Sequence, residues 1–140
     1  MGIPSRDVCV NQSCAEAEID LPAPTVLVAE DEVLIRALLA HHLRELGFRI
    51  IEASNADEAT EILKSGEHVD VLFTDVRMPG ENDGIRLAQW VRQNHPAVRI
   101  VFGSGEKSLA DIVPGARQFS KPYDFDEVEA HIRSLLRDSG

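Results

Sequence analysis

Three acids, a hydroxyl and an ammonium stand out for the chemistry they could perform together: Glu30 and Asp31 in AEDE, Asp75 in TDV, Ser104 in GSG and Lys121 in SKP. A carboxylate can attack a phosphoryl group and hold it as an acyl phosphate. Attacker and incoming group are both negative, so the site must supply positive charge. A hard divalent cation, Mg2+ by preference, takes oxygen ligands and keeps some of its waters. Asp31 and Asp75 suit direct ligation, and Glu30 a contact through water. Lys121 offers a point charge to phosphoryl oxygens. Ser104 offers a hydroxyl donor that would pass the change in charge to its own strand. Each of these taken singly reads as a solvated loop charge, and only their combination points to chemistry.

The elements that must bring them together follow from periodicity. Thr25 opens a short apolar run, Val26, Leu27 and Val28, which reads as a buried strand ending at Glu30 and Asp31. Leu34, Ile35, Leu38, Leu39, Leu43 and Leu46 recur at helical spacing, with Gly47 as the stop. Phe48–Ala53 is a second strand. Asn55 caps a second helix, with Glu58 three residues on in the manner of a capping box, and Ala59, Ile62 and Leu63 point inward before a stop near Gly66. Val69–Val76 is a third strand. A third helix over about Asp83–Asn94 sets Ile85, Leu87, Ala88 and Val91 on one side, and His95-Pro96 ends it. Val98–Phe102 and Arg117–Ser120 are the fourth and fifth strands. Asp124 caps a last helix with Phe125, Val128, Ile132, Leu135 and Leu136 in register. The alternation predicts an α/β fold with a doubly wound, five-stranded parallel sheet and helices on both faces. Chemistry in such a sheet belongs beyond the carboxyl ends of its strands, where all five residues fall.

Composition bounds the reading. The 140 residues fit one domain, and 44% hydrophobic content supports a core without a metal or disulfide staple. A net charge of -10 and scattered basic residues exclude a nucleic-acid surface. No apolar run approaches the roughly 20 residues that span a bilayer. Residues 1–23 are polar and aperiodic, a flexible tail before a domain at 24–140, and lack the apolar segment of a secretory signal. Cys9 and Cys14 in that tail have no ligand-spaced partner, so they read as reduced thiols of a cytoplasmic protein. The histidines, His41, His42, His68, His95 and His131, show no ligand spacing either. Trp90 and Phe125 read as helix packing.

In order, VLVAEDE, VLFTDVRMPGENDG, VFGSG and FSKPY resemble the signature stretches of the response-regulator receiver domain of two-component signalling. The resemblance runs from about Thr25 to Arg137 and implies a flavodoxin-like (βα)5 fold. It implies that Asp75 is the phosphoacceptor, that Mg2+ is the cofactor, and that the backbone carbonyl of Arg77 completes the ligands Asp31, Asp75 and Glu30. It further implies a cis bond at Lys121-Pro122 that aims the ammonium inward, and a small Gly105 that leaves the site open to a donor. The donor histidine would belong to a partner, a histidine kinase or histidine phosphotransfer protein. The chain then reads as a stand-alone phosphorelay module that catalyses its own phosphorylation and dephosphorylation and is no metabolic enzyme. Homodimerisation is left open as an output. Two other readings compete: a pseudo-receiver that binds proteins without phosphorylation, and an aspartyl-phosphate hydrolase. The latter needs a second acid two residues past the nucleophile, where Arg77 stands.

Departures from the family pattern bear on output. MPGENDG carries one extra residue before Asp83. The stretch from Ser104 to Lys121 is short, leaving about Lys107–Val113 for a short or mobile fourth helix. Gln118 stands where receivers commonly place Tyr or Phe, a ring that turns inward as the hydroxyl residue moves. The resemblance implies that Arg77 and Glu106, two residues past Asp75 and Ser104, flank the acyl phosphate, and an opposite-charge pair there would cover it and slow attack by water. Replacing both by Ala is expected to shorten the phosphate lifetime modestly, since exposed ion pairs are worth little. An unchanged lifetime would sink that idea.

Overall fold

The structure is a computed structural model that describes residues 23–76, 83–103, 117–119 and 123–138. Its strands are β1 (Thr25–Ala29), β2 (Arg49–Ala53), β3 (Val71–Asp75), β4 (Arg99–Gly103) and β5 (Arg117–Phe119). Its helices are α1 (Val33–Glu45), α2 (Ala56–Lys64), α3 (Gly84–Asn94) and α4 (Phe125–Asp138). The strands form one parallel sheet in the order β2-β1-β3-β4-β5. The expected five-stranded doubly wound sheet is therefore present. The expected helix at Lys107–Val113, the tail through residue 22 and the two cysteines lie outside the described residues.

Every residue of β1 and β3 is buried, because each strand is apolar on both faces and each face meets helices. Alternation divides them between two cores. Leu27, Ala29, Leu72 and Phe102 join Ala59 and Leu63 of α2 and Leu87 and Val91 of α3. Val26, Val28, Phe73 and Val101 join Leu39 and Leu43 of α1 and Val128 and Ile132 of α4 on the opposite face. The two inner strands are thus fixed from both sides.

The helix ends follow the local chemistry. Gly47 and Gly66 close α1 and α2 at φ of 100° and 90°, a region open to glycine at little cost. Asn55 Oδ1 accepts from the Glu58 N–H at 2.7 Å, and Glu58 Oε1 accepts from the Ser54 N–H at 2.5 Å. The glutamate reaches back as a capping box requires, but one residue earlier than the cap itself. Asp83 caps α3 through the Arg86 N–H at 3.0 Å, and Asp124 caps α4 through the Asp126 N–H at 3.0 Å.

One helix departs from its sequence pattern. Leu39, Ala40 and Leu43 bury the inner face of α1, while Val33 and Leu34 are 68% and 71% exposed and Leu38 is also exposed. The leucine stripe of α1 is wider than the face that the sheet covers.

Phe73 is fully buried in the strand that ends at Asp75. Phe73→Ala should lower unfolding free energy by about 3–5 kcal/mol, because apolar burial is removed and a cavity remains. Loss of the exposed cap in Asn55→Ala should cost only about 1 kcal/mol. Urea unfolding of both variants measures the order, and a larger loss at Asn55 would contradict this account of the core.

Candidate functional site

The register of the sheet sets the acids side by side. β1 and β3 are neighbours, and their last paired residues are Ala29 and Thr74. The next residues along the two strands are Glu30 and Asp75. This is the place where the strand order reverses, so the helices that follow β1 and β3, α1 and α3, pack on opposite faces of the sheet and leave a crevice between the strand ends. One carboxylate oxygen from each of Glu30, Asp31 and Asp75 lies within 4.8 Å of the other two. Glu30 and Asp75 are buried, at 0% and 3% exposure, and Asp31 lies nearer the surface.

These donors fit a hard divalent cation. Oxygens on opposite sides of Mg2+ stand about 4.2 Å apart. Separations within 4.8 Å are compatible with one ion, including an arrangement in which one acid acts through a water, the part expected for Glu30. Like charges this close repel, so a cation here removes a cost as well as making bonds.

Close contacts hold Glu30 and Asp75 in place. The Glu30 N–H donates to Ala53 O at 3.0 Å, and Arg36 Nη1 donates to Glu30 O at 2.8 Å. Arg36 Nε also pairs with Glu52 Oε1 at 3.3 Å, and Arg44 Nη1 with Glu52 Oε2 at 3.1 Å, which ties α1 to β2 beneath the acid. Glu30 Oε2 accepts from the Glu32 N–H at 3.1 Å. Asp75 is gripped through its carbonyl. Thr74 Oγ1 donates to it at 2.9 Å, and a Cβ on Gly84 would stand 1.9 Å from it. Only a glycine lets the first residue of α3 press so close. The Val76 N–H donates to Gly103 O at 3.3 Å, tying the end of β3 to β4.

Of the residues expected from sequence, the structure brings Glu30, Asp31 and Asp75 together. Ser104, Gly105, Glu106, Arg77, Lys121 and the Lys121-Pro122 bond lie outside the described residues. Gln118 falls in β5, opposite Phe102 of β4.

The structure adds Tyr123 and Gly103, which sequence reasoning missed. Tyr123 packs edge-on against Phe73, with centroids 5.3 Å apart, and its hydroxyl donates to Glu30 Oε1 at 3.4 Å. The sequence signal was slight: Tyr123 closes FSKPY, and Gly103 sits one residue past the expected end of its strand. Burial, and then the charges of Glu30 and Asp75, push the Tyr123 phenol far above its ordinary value. The neutral phenol thus reports the negative field of the acids.

The family model for the response regulator receiver domain matches residues 26–133. The chain is 32% identical over 136 residues to the sensor kinase CckA of Brucella abortus, covering 92% of this chain and 14% of that protein. The chain therefore spans a small part of that curated relative. The crystal structure of a response regulator receiver protein from Sinorhizobium medicae superposes with a TM-score of 0.80 at 30% identity, covering 86% of this chain and all of the other. The same fold recurs, with a TM-score of 0.71 at 24% identity, in the receiver domain of the Saccharomyces cerevisiae response regulator Ssk1, crystallised with the histidine phosphotransfer protein Ypd1. That match covers 84% of this chain and 91% of the other. Among the described residues, no helix is long and apolar enough to cross a membrane.

Tyr123 is the chain's one tyrosine, so phenolate absorbance reports it alone. The unfolded chain loses this proton near pH 10, while the native state keeps it. The stability Tyr123 contributes is therefore complete below about pH 10 and falls as pH rises above it. In metal-free protein, phenolate should appear only together with loss of native circular dichroism. An ionisation near pH 10 in the folded state would refute this placement of the ring.

Proposed function

The chain belongs to the response regulator receiver domain family, and from that premise we propose that it accepts a phosphoryl group on Asp75 from a partner histidine kinase or histidine phosphotransfer protein. The observation that carries this reading is the meeting of Asp75 with Glu30 and Asp31, oxygens within 4.8 Å, at the switch point of the sheet. In the transfer, a carboxylate oxygen of Asp75 forms the new O–P bond as the N–P bond of the donor phosphohistidine breaks. The donor nitrogen keeps the electron pair of that bond.

The acids would hold Mg2+, with Asp31 and Asp75 direct ligands, Glu30 acting through water and the Arg77 carbonyl completing the set. The ion offsets the repulsion between the carboxylate and the incoming phosphoryl. Lys121 pairs with the phosphoryl oxygens and Ser104 donates its hydroxyl to one of them. Gly105 leaves the approach open, and Arg77 and Glu106 tune how fast water removes the phosphate. Gln118 carries no ring to turn inward, so the common aromatic switch lacks its ring at this position. The chain catalyses its own phosphorylation and dephosphorylation and turns over no metabolic substrate. It works in the cytoplasm through protein contacts, with no nucleic acid or membrane as partner. Exposed Val33 and Leu34, within three residues of Asp31, support contact with a protein donor.

A small-molecule phosphodonor plus Mg2+, followed by intact mass, tests the reading. Wild-type protein should gain one phosphoryl group, while Asp75→Asn or removal of Mg2+ should reduce the adduct to background. An absent wild-type adduct would make the chain a phosphorylation-independent binding module. Rapid release of inorganic phosphate over many turnovers would make it a hydrolase.

A further inference from the structure

We propose that Tyr123 is a positioning residue for the metal site, and that Gly103 is the notch that admits its hydroxyl. The inference rests on the reading of Glu30, Asp31 and Asp75 as the Mg2+ site. Glu30 is fully buried, and a buried carboxylate must have its oxygens engaged to hold one orientation. Glu32 N–H engages Oε2 and the Tyr123 hydroxyl engages Oε1. Removing either hydrogen bond lets the carboxylate turn more freely about its last torsion, and the lone pairs offered to a water on the cation turn with it.

The ring of Tyr123 can lie there because β4 ends in a residue without a side chain. A Cβ on Gly103 would stand 2.1 Å from the Tyr123 hydroxyl oxygen and 2.6 Å from the ring carbon that bears it. The part of the ring that fills the notch is therefore its polar end, the end that touches Glu30. Gly103 is also paired with Asp75 across the ladder, so the notch opens at the acid cluster itself. Phe73, the residue two before Asp75 in β3, carries the ring edge-on. One tyrosine thus bridges β3, β4 and the acid that ends β1. A phenylalanine at 123 would keep the packing and drop only the hydrogen bond. The 3.4 Å separation is long, as such contacts often are before the ligand arrives, so the effect belongs at the lower end of what outer contacts do for metal affinity.

Calorimetric titration of the full chain with Mg2+ alone tests this, alongside thermal unfolding of each protein in chelator. Tyr123→Phe should bind Mg2+ about tenfold more weakly than wild type while keeping native circular dichroism. Gly103→Ala should expel the hydroxyl and weaken binding to a similar degree. The double variant should be little weaker than either, because both changes remove the same hydrogen bond. A Tyr123→Phe protein that binds within about twofold of wild type, or more tightly, overturns the proposal whatever its melting temperature. Weakening that comes only with loss of native structure overturns it too, since packing alone would give that result. Fully additive losses overturn the pairing of Gly103 with Tyr123. If Gly103→Ala does not fold, Tyr123→Phe decides the question alone. A wild-type chain that takes up no Mg2+ would overturn the metal-site reading and this inference together.

Discussion

Three carboxylates held with their oxygens within 4.8 Å repel one another, and the fold exists around that repulsion. At about 4 Å a pair of unit charges interacts by about 4 kcal/mol at the effective dielectric typical near a protein surface, so the cluster does not assemble on its own account. The two cores assemble it. β1 and β3 are buried on both faces and hydrogen-bonded to each other, and the acids are the residues where their ladder runs out. Separating Glu30 from Asp75 would mean breaking the ladder between two strands that are fixed from above and below. Burial of apolar side chains thus imposes an arrangement that electrostatics opposes, and leaves a site whose affinity for positive charge is stored in the fold.

The acids differ in how they are held, and the difference matches what each would do. Glu30 is bonded at its N–H, its carbonyl and both carboxylate oxygens, which suits a group that fixes a water. The backbone of Asp75 is gripped by Thr74, by the close approach of Gly84 and by the tie from Val76 to β4. That fixes the position of the residue from the main chain, as the proposed phosphoacceptor role would require. Asp31 lies outermost, at the mouth of the crevice and just before the exposed start of α1.

Much of this could be seen in the residues, and what could not has physical causes. Continuous apolar runs such as Val26–Val28 and Val71–Phe73 mark strands covered on both faces, and their spacing by helical patterns forces parallel order. That fixes the crevice, and so Glu30, Asp31 and Asp75 as neighbours. Strand ends came out one or two residues off, at Val69 and Val98 for example, because terminal pairing depends on partners that periodicity does not register. The leucines of α1 misled in another way. A stripe is read from spacing alone, whereas burial depends on how far the sheet extends beneath the helix, and it does not reach Leu34. Tyr123 and Gly103 were hidden because their significance is relational. A glycine matters where another chain segment fills the space of its missing side chain, and that segment lies some 20 positions away in sequence.

Tyr123 also bears on the loss of an aromatic at 118. A ring near the acids is worth having because it can read their state and pass it on through rigid packing. Gln118 provides no ring, yet the acid cluster has one in contact, arriving from the far side of Lys121. The covalent route from Tyr123 to the first residue of α4, Phe125, is two residues long, and Val128 and Ile132 of α4 sit in the same core as Phe73. The Glu30 carboxylate is therefore joined, through Tyr123 and the fully buried Phe73, to the core into which α4 packs. Packed cores have few voids to absorb a displacement of such a ring. The geometry of the described residues thus connects the acid cluster to one helix face.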